Sequence, residues 1–339
     1  MPFHDGPGRW TAAGALYLAG CVMAAALVGL AAAADRAGAA DWPTRAVTVV
    51  VPFAAGGNTD MMARLGAERL TARFGQSFVV ENRPSAGGAV AANQVARAAA
   101  DGYTLLFSAS ATLMLTPLVQ KVSYDADRDF IPITNMGTGT QVLAVRRDLP
   151  VGTFAELIAY AKANPGKLNY VAAGTQNISH LGPVLLAARG GLDMVLVPAK
   201  GGPQAVADLV SGQVDMYFGN ASELLPFRGG DKIRLLAVGT ASRLPQAPEL
   251  PAIAETFPGF AFSSWNGFIA PAGTPAAVIA AVREEITAAA KAPEIAQRLT
   301  SLGIIPGGLS EREVAAVFAH DRQVFTEAAR AAGILLKPE

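Results

Sequence analysis

Residues 47–58 read Val-Thr-Val-Val-Val-Pro-Phe-Ala-Ala-Gly-Gly-Asn, and this stretch decides the fold class. Its first five residues are β-branched and almost all apolar, which is typical of a strand buried on both faces of a sheet. The proline and the two glycines break that strand, and the apolar residues from Asp60 to Phe74 then recur with helical spacing. A strand, a glycine-rich turn and a helix in this order predict the first half of a β-α-β unit.

The same alternation continues along the chain. Helical patterns separate most of the further strands, which we predict at residues 78–80, 103–107, 141–145, 168–171, 194–197, 214–218, 233–238 and 262–269. Three more helices are predicted after residue 274. This spacing is typical of an α/β fold, here with two lobes, each a mixed, mostly parallel sheet flanked by helices.

The chain is predicted to cross twice between these lobes. Residues 41–141 with 262–339 form lobe 1, and residues 142–261 form lobe 2. The crossings near 139–147 and 258–268 are expected to act as hinges, because a few extended residues can absorb the rotation of one lobe against the other. A cleft between the lobes follows from this layout.

The first forty residues differ from the rest. Arg9 precedes an almost uncharged stretch, residues 10–34, which ends in small residues. This pattern predicts a signal peptide over residues 1–40, cleaved near 34–40, and therefore export. Two alternatives stay open: the apolar run is long enough to remain as a membrane anchor, and Leu18-Ala19-Gly20-Cys21 is similar to a lipobox, in which Cys21 is acylated.

Composition excludes several classes of protein. The chain has 339 residues, of which 51% are hydrophobic, so it can bury a sizeable core. Lys plus Arg and Asp plus Glu are equal at 27 each, without a basic block, and we expect no nucleic-acid partner. One Cys cannot build a Cys-based metal site, and three His are few ligands for zinc, so we expect no metal and no cofactor.

Signatures of catalysis are also missing from the sequence. Gly56-Gly57 lacks the Gly-Lys-Ser/Thr of a phosphate loop, and no Gly-x-Ser-x-Gly nucleophile elbow occurs. Ser179 and His180 are adjacent, but neighbours on a helix point about 100° apart. We therefore expect no catalytic residue and no enzyme, and a hydrolase that uses Ser179 or His180 stays as an alternative.

The loops that follow the predicted strands are the candidate binding site, because open α/β sheets bind ligands at the carboxyl ends of their strands. These loops are small and rich in glycine or hydroxyl groups, and several lead into helices, whose N-termini can hold an anion without Arg or Lys. The candidate ligand-binding residues in them are Phe53, Ala54, Ala55, Gly56, Gly57, Asn58, Asp60, Ser85, Ser108, Ser110, Gly174, Thr175, Lys200 and Gly201.

A series of motifs then runs through the chain in order. It comprises Trp42-Pro43, residues 49–57, Val80-Glu81-Asn82-Arg83-Pro84, Asp101-Gly102-Tyr103-Thr104-Leu105-Leu106, Ser179-His180-Leu181, Lys200-Gly201-Gly202, Gly212-Gln213-Val214-Asp215-Met216, Trp265-Asn266-Gly267 and Ala270-Pro271-Ala272-Gly273-Thr274-Pro275. The series resembles the substrate-binding proteins of tripartite tricarboxylate transporters, the Bug (Bordetella uptake gene) or TctC family. The resemblance covers essentially all of the chain after residue 41.

The resemblance implies a type II-like, two-lobed periplasmic binding protein that captures a small organic (carboxylic) acid in the cleft between its lobes. Such a protein delivers its ligand to the membrane permease subunits of a tripartite tricarboxylate-type transporter, and we expect a monomer. The loop of residues 53–58 with Asp60 would hold one ligand carboxylate. Gly174, Thr175, Ser179 and His180 would meet the other end of the ligand, and the matching motifs add Asn220 and Trp265. An exported sensor that signals to a membrane receptor is the alternative.

Two positions depart from the family pattern. Ala199 stands where many relatives have Tyr before Lys-Gly-Gly, and Gly219 stands where many have Asp before the Asn. Both changes shrink side chains near the expected cleft, and the second removes a negative charge. The departures thus disfavour a cationic or amino-acid ligand and leave room for a bulkier or purely anionic acid.

Overall fold

The computed structural model describes residues 42–173 and 177–336. The predictions for residues 1–40, including cleavage and Cys21, and those for Gly174 and Thr175 lie outside the described residues. The described chain forms two sheets flanked by helices, which confirms the mixed α/β fold.

The first sheet has the strand order β11-β4-β10-β3-β1-β2. Its strands are β1 (Val47–Val51), β2 (Phe78–Asn82), β3 (Thr104–Ala109), β4 (Phe130–Gly139), β10 (Ser264–Pro271) and β11 (Ile304–Pro306). Strand β1 pairs in parallel with β2 and β3, whereas β10 runs antiparallel to both β3 and β4. A late segment of the chain therefore completes the centre of a sheet that the early segments begin.

The second sheet has the order β7-β6-β8-β5-β9. Its strands are β5 (Gln141–Arg146), β6 (Leu168–Ala172), β7 (Met194–Pro198), β8 (Met216–Asn220) and β9 (Ile233–Val238). Strand β6 pairs in parallel with β7 and β8, and β5 runs antiparallel to β8 and β9. Three of the five strand pairs in the first sheet and two of the four in the second are antiparallel, so the sheets are mixed and not mostly parallel as predicted. The reason is that β4, β5 and β10, which carry the chain between the sheets, run against their neighbours.

The helices lie between and after these strands. They are α1 (Asn58–Phe74), α2 (Ala89–Ala96), α3 (Ser110–Met114), α4 (Thr116–Val119), α5 (Phe154–Ala163), α6 (Ile178–Gly190), α7 (Gly202–Val210), α8 (Ala221–Leu224), α9 (Ala276–Lys291), α10 (Pro293–Ser301) and α11 (Glu311–Ala331). At the start of α5, Thr153 and Glu156 cap each other's backbone N–H groups, as the sequence Thr-x-x-Glu predicts. Within the described ranges, no helix has the length and apolar character needed to cross a membrane.

The C-terminal helix α11 packs against both halves of the molecule. It contacts β4 and α3 beside the first sheet and α6 beside the second. Nε of Arg189 on α6 donates to Oε1 of Glu327 on α11 at 2.9 Å, and Nη2 donates to Oε2 at 2.7 Å. Phe325 of α11 is buried in a hydrophobic core that also contains Leu106 of the first sheet and Phe218 of the second sheet. Helix α11 thus packs against elements that belong to both sheets.

Membership in the sheets changes near the predicted crossings. The strands up to Gly139 and from Ser264 onward lie in the first sheet, and those from Gln141 to Val238 lie in the second. The lobe boundaries of residues 41–141 with 262–339 and 142–261 stay a prediction, as do the hinges.

Candidate functional site

A cavity of about 510 Å³ lies between the two sheets. On the side of the first sheet it is lined by Phe53, which follows β1, and by residues of α1, α3 and α4. On the opposite side it is lined by the beginning of β5, the segment after β6, and the start of α6 and α7. The cavity therefore has walls from both halves of the molecule and lies where the carboxyl ends of parallel strands meet helices.

Three helices of eight residues or more begin at this cavity. Thr59 of α1, Ile178 of α6 and Gly202 of α7 all line it. The caps of α1 and α7 are glycines, which leave the first-turn N–H groups without a side-chain acceptor. None of the described residues that line the cavity is Lys or Arg. The positive potential for an anion therefore comes from backbone N–H groups and helix dipoles.

Asp60 holds the loop of residues 53–58 in place. Its Oδ2 accepts hydrogen bonds from N of Gly56 at 2.9 Å and from Nε of Arg64 at 3.0 Å, and its Oδ1 accepts one from Nδ2 of Asn82 at 2.9 Å. Burial raises the pKa of the Asp60 carboxyl, but the hydrogen bonds from Arg64, Gly56 and Asn82 outweigh that effect and hold the pKa below its usual range. Asp60 is therefore ionised, and it fixes the loop by accepting the hydrogen bond from N of Gly56.

Asn82 is a second support of the same loop. In addition to Asp60, its Nδ2 contacts the carbonyl oxygen of Phe53 at 3.0 Å. Asn82 belongs to the motif of residues 80–84, whose sequence alone indicated no role for it. Ala54, Ala55, Gly56 and Gly57 are exposed at the surface of the loop, and Phe53 faces the cavity.

The three predicted serines of the first sheet lie beside or behind the wall. Ser85 accepts a hydrogen bond from N of Val90 at 3.2 Å, and Ser108 is fully buried and donates to the carbonyl oxygen of its neighbour Ala109. Ser110 is fully buried beside Asp321 of α11. None of the three is among the described residues that line the cavity.

Two threonines that the sequence analysis did not select line the cavity instead. Thr116 donates to the carbonyl oxygen of Gly87 at 2.9 Å. Oγ1 of Thr112 is buried and has no hydrogen-bond partner among the described residues. The hydrogen-bonding capacity of this hydroxyl is therefore unused among the described residues.

On the opposite wall, Ser179 closes a small hydrogen-bonded loop. Its Oγ accepts from N of Ala173 at 2.9 Å and donates to Oδ1 of Asn177 at 2.8 Å, while Nδ2 of Asn177 donates back to the carbonyl oxygen of Ala173. Oδ1 of Asn177 also accepts from N of His180 and so caps α6. His180 is buried, and burial lowers the pKa of its imidazole, which favours the neutral form.

A chain of polar side chains continues this wall. Nε2 of Gln141 donates to Oδ1 of Asn220 at 3.1 Å, and Nδ2 of Asn220 donates to Oε1 of Glu223 at 2.9 Å. Tyr217 donates its hydroxyl to Oε2 of Glu223 at 2.9 Å. All four residues line the cavity, although only Asn220 was selected from the sequence. The position of Glu223, three residues after Asn220, was the available signal for it.

The remaining predicted residues lie at the edge of the site or behind it. Lys200 is exposed, with its backbone N bonded to Oε1 of Gln204, and Gly201 precedes Gly202 at the start of α7. Trp265 is fully buried and packs edge-on against Phe318 of α11, with ring centroids 5.1 Å apart. It is the residue before it, Ser264, that reaches the cavity.

No cluster of acidic, His or Cys side chains suited to a metal ion occurs within residues 42–173 and 177–336. With three helix N-termini, hydroxyl groups and an uncharged wall on the side of the first sheet, the cavity can accommodate a small polar molecule that carries an anionic group.

Comparison with known proteins places this geometry in a family. The family model described as tripartite tricarboxylate transporter family receptor, TctC, matches residues 62–326. A UPF0065 protein in the tcbD-tcbE intergenic region of Pseudomonas sp. (strain P51) is 35% identical over 305 residues, which is 89% of this chain and 91% of that protein. Protein BugT of Bordetella pertussis is 31% identical over 299 residues, which is 87% of this chain and 92% of BugT.

Two similar solved structures hold ligands. Rpa4515 of R. palustris, solved with adipate, is 36% identical with a TM-score of 0.76, over 87% of this chain and 99% of that one. MatC (Rpa3494) from Rhodopseudomonas palustris, with bound malate, is 30% identical with a TM-score of 0.71, over 85% of this chain and 99% of that one. These matches over nearly the whole length of each relative agree with the motif series in the sequence. The chain belongs to the TctC family of tripartite tricarboxylate transporter receptors.

Proposed function

We propose that this protein captures a small organic acid in the cavity between its two sheets and delivers it to the membrane permease subunits of a tripartite tricarboxylate-type transporter. The observation that carries the proposal is a cavity of about 510 Å³ at which three helix N-termini meet, with no Lys or Arg among its described lining residues. Adipate and malate in the two related structures support a carboxylic acid as the ligand class.

In this proposal the first-sheet side holds the ligand carboxylate. The loop of residues 53–58 and the uncapped first turn of α1 supply backbone N–H groups, and the free hydroxyl of Thr112 supplies another donor. Asp60 and Asn82 keep the loop in the required shape from behind. The protein acts by binding and release, without a chemical step.

The working location in this proposal is the periplasm. A signal peptide over residues 1–40, cleaved near 34–40, directs export, and anchoring through an acylated Cys21 is the alternative that N-terminal sequencing and mass spectrometry of the secreted chain distinguish. The binding unit is expected to act as a monomer.

A thermal-shift screen of the mature chain against mono-, di- and tricarboxylic acids tests the proposal. A ligand at 100 times its Kd stabilises the folded state by about 2.7 kcal/mol, which corresponds to a rise in Tm of roughly 4 °C for a chain of this size. Neutral analogues of the best acid, such as its amides, are the matched controls and are expected to give no shift. A protein that no acid stabilises, or that amides stabilise equally, contradicts the proposal.

A further inference from the structure

The side chain of Glu223 places a carboxylate in the wall of the proposed ligand cavity. It accepts hydrogen bonds from the hydroxyl of Tyr217 and from Nδ2 of Asn220, both at 2.9 Å. None of the ion pairs among the described residues includes Glu223. A negative charge without a cationic partner therefore faces the ligand from the side of the second sheet.

This carboxylate also lies at the N-terminus of α7. A Cβ atom built on Gly202, the first residue of α7, would lie 2.3 Å from Oε1 of Glu223, so the carboxylate rests directly against that turn. The start of α7 is one of the three helix N-termini at the cavity. A ligand anion at this turn would therefore lie beside the Glu223 carboxylate.

The polar side chains next to Glu223 are oriented in the same sense. Gln141 donates to Asn220, Asn220 donates to Glu223, and Tyr217 donates to Glu223. Each of these bonds directs an N–H or O–H group along the wall toward the carboxylate. This part of the wall therefore offers hydrogen-bond acceptors to a ligand, above all the lone pairs of the Glu223 carboxylate.

Glu223 thus returns to the cavity the negative charge that the departure at Gly219 removes, so the expectation that an amino-acid ligand is disfavoured does not hold for this wall. A Cβ atom at Gly219 would lie 2.1 Å from Cε1 of Tyr217, because the tyrosine ring packs over that glycine. The ring of Tyr217 fills the space that a larger side chain at position 219 would need, and its hydroxyl donates to Glu223.

We propose that Glu223 selects the far end of the ligand: the cavity takes an acid whose other end carries an ammonium or hydroxyl group, and it discriminates against a second carboxylate. The inference rests on the proposed capture of a small organic acid at the first-sheet side. A second ligand carboxylate would lie beside a like charge in a confined site, whereas an ammonium or hydroxyl group would donate to Glu223.

Matched acids test this selection by calorimetry on the mature chain. Three sets keep the carbon skeleton and change only the far end: adipate, 6-aminohexanoate and 6-hydroxyhexanoate; succinate, 4-aminobutanoate and 4-hydroxybutanoate; terephthalate and the 4-aminomethyl and 4-hydroxymethyl benzoates. In the set that fits the cavity best, we expect the amino or hydroxy acid to bind at least about tenfold more tightly than the dicarboxylate.

The variant Glu223→Gln has the same shape without the charge, and we expect it to reduce or reverse that ratio by about tenfold or more. Glu249→Gln, at an exposed glutamate that pairs with Arg228 outside the cavity, is the control and is expected to leave the ratio unchanged. A ratio that Glu223→Gln leaves unaltered overturns the role of Glu223.

The outcomes separate this inference from the function on which it rests. A native protein that binds a dicarboxylate more tightly than its amino and hydroxy partners overturns the inference and leaves the capture of an acid intact. If no acid of any set binds, and no acid of the wider thermal-shift screen does, both are overturned.

Discussion

Nδ2 of Asn58 donates a hydrogen bond to Oγ of Ser222 at 3.0 Å. Asn58 is the first residue of α1 beside the first sheet, and Ser222 belongs to α8, which follows the last residue of β8 in the second sheet. The bond therefore joins the two walls of the cavity directly. In the proposed hinge motion this contact forms only while the walls are close together, and it would stabilise the closed arrangement relative to an open one.

Ser222→Ala removes this contact and leaves the first loop untouched. Because the lost hydrogen bond contributes about 0.5–1.5 kcal/mol to the closed form, we expect ligand affinity to fall by roughly 2–10-fold, mainly through a faster off-rate. Stopped-flow or surface-based kinetics with the best acid measures this. Ser211→Ala, whose hydroxyl bonds only to the carbonyl oxygen of Asp208 in its own helical turn, is the control. Equal off-rates in Ser222→Ala and Ser211→Ala would contradict a stabilising role of the hydrogen bond between Asn58 and Ser222.

Gly57→Asp tests the anion site at the start of α1. Gly57 has φ −80° and ψ 170°, and a Cβ atom there would have only the carbonyl oxygen of Ala54 nearby, at 3.8 Å, so a side chain fits without backbone strain. The new carboxylate repels a ligand carboxylate at the same N–H groups, and we expect Kd to rise by about 100-fold or more.

Gly57→Asn is the matched control, because asparagine has nearly the same shape as aspartate without the charge. We expect it to retain affinity within about tenfold of the native protein by calorimetry. Equal losses in Gly57→Asp and Gly57→Asn would assign the effect to crowding, and unchanged affinity in both would remove this loop from the site.

Asp321 gives a prediction about pH. Asp321 lies on α11, and its burial raises the pKa of its carboxyl to about 7. The Ser110 hydroxyl lies beside it without hydrogen-bond geometry to Oδ2, and it offsets the rise in pKa only in part. The folded state therefore keeps the proton while an unfolded chain loses it near pH 4. This group's contribution to the free energy of unfolding is greatest below pH 4, falls between pH 4 and about 7, and is lowest above pH 7.

Asp321→Asn removes that pH dependence. At pH 8 we expect the variant to be more stable than the native protein, by at most about 4 kcal/mol from the shift of the pKa, and at pH 4 nearly equal to it. Urea unfolding at intervals from pH 4 to pH 8 measures the difference. The exposed Asp231→Asn is the control. A difference between the native protein and Asp321→Asn that does not grow with pH contradicts the prediction.

Closure about the proposed hinges, near 139–147 and 258–268, should be visible in solution. Ligand contacts on both walls favour the closed form, so we expect the radius of gyration to decrease on binding in small-angle scattering. Trp265 lies in the second hinge segment and packs on Phe318 of α11, and we expect tryptophan fluorescence to change on binding and Trp265→Phe to lose that change. A tight ligand that leaves the scattering curve untouched contradicts the hinge motion.

Local patterns predicted most elements, and the exceptions have physical reasons. The β1–α1 unit follows from a run of β-branched residues and a glycine turn. Strand β4 was not predicted, because Pro132, Asn135, Gly137 and Gly139 weaken its strand pattern. It forms between β10 and β11, and its register against β10 shifts at Ile133 and at Met136. Tertiary pairing there overrides a weak local preference.

The site was predictable in outline and not in its polar details. A loop after a strand led to Phe53, and the family resemblance led to Ser179 and Asn220; all three line the cavity. Thr112 has no local signature, and Glu223 has only its position three residues after Asn220, since their roles depend on helices that meet only in the folded chain. The buried position of Trp265 likewise depends on α11, which lies more than forty residues later in sequence.

The strand order of the first sheet has a consequence for the order in which a ribosome makes this chain. Strands β1, β2 and β3 are complete by Ala109, but the free edge of β3 is covered only by β10, which begins at Ser264. At about 5–20 residues per second, this edge waits roughly 8–30 s for its partner, while the contiguous second sheet is made in the interval. An unpaired edge is the surface at which chains join one another. A chain truncated before β10 would therefore keep every strand of one sheet and leave the other open at its centre.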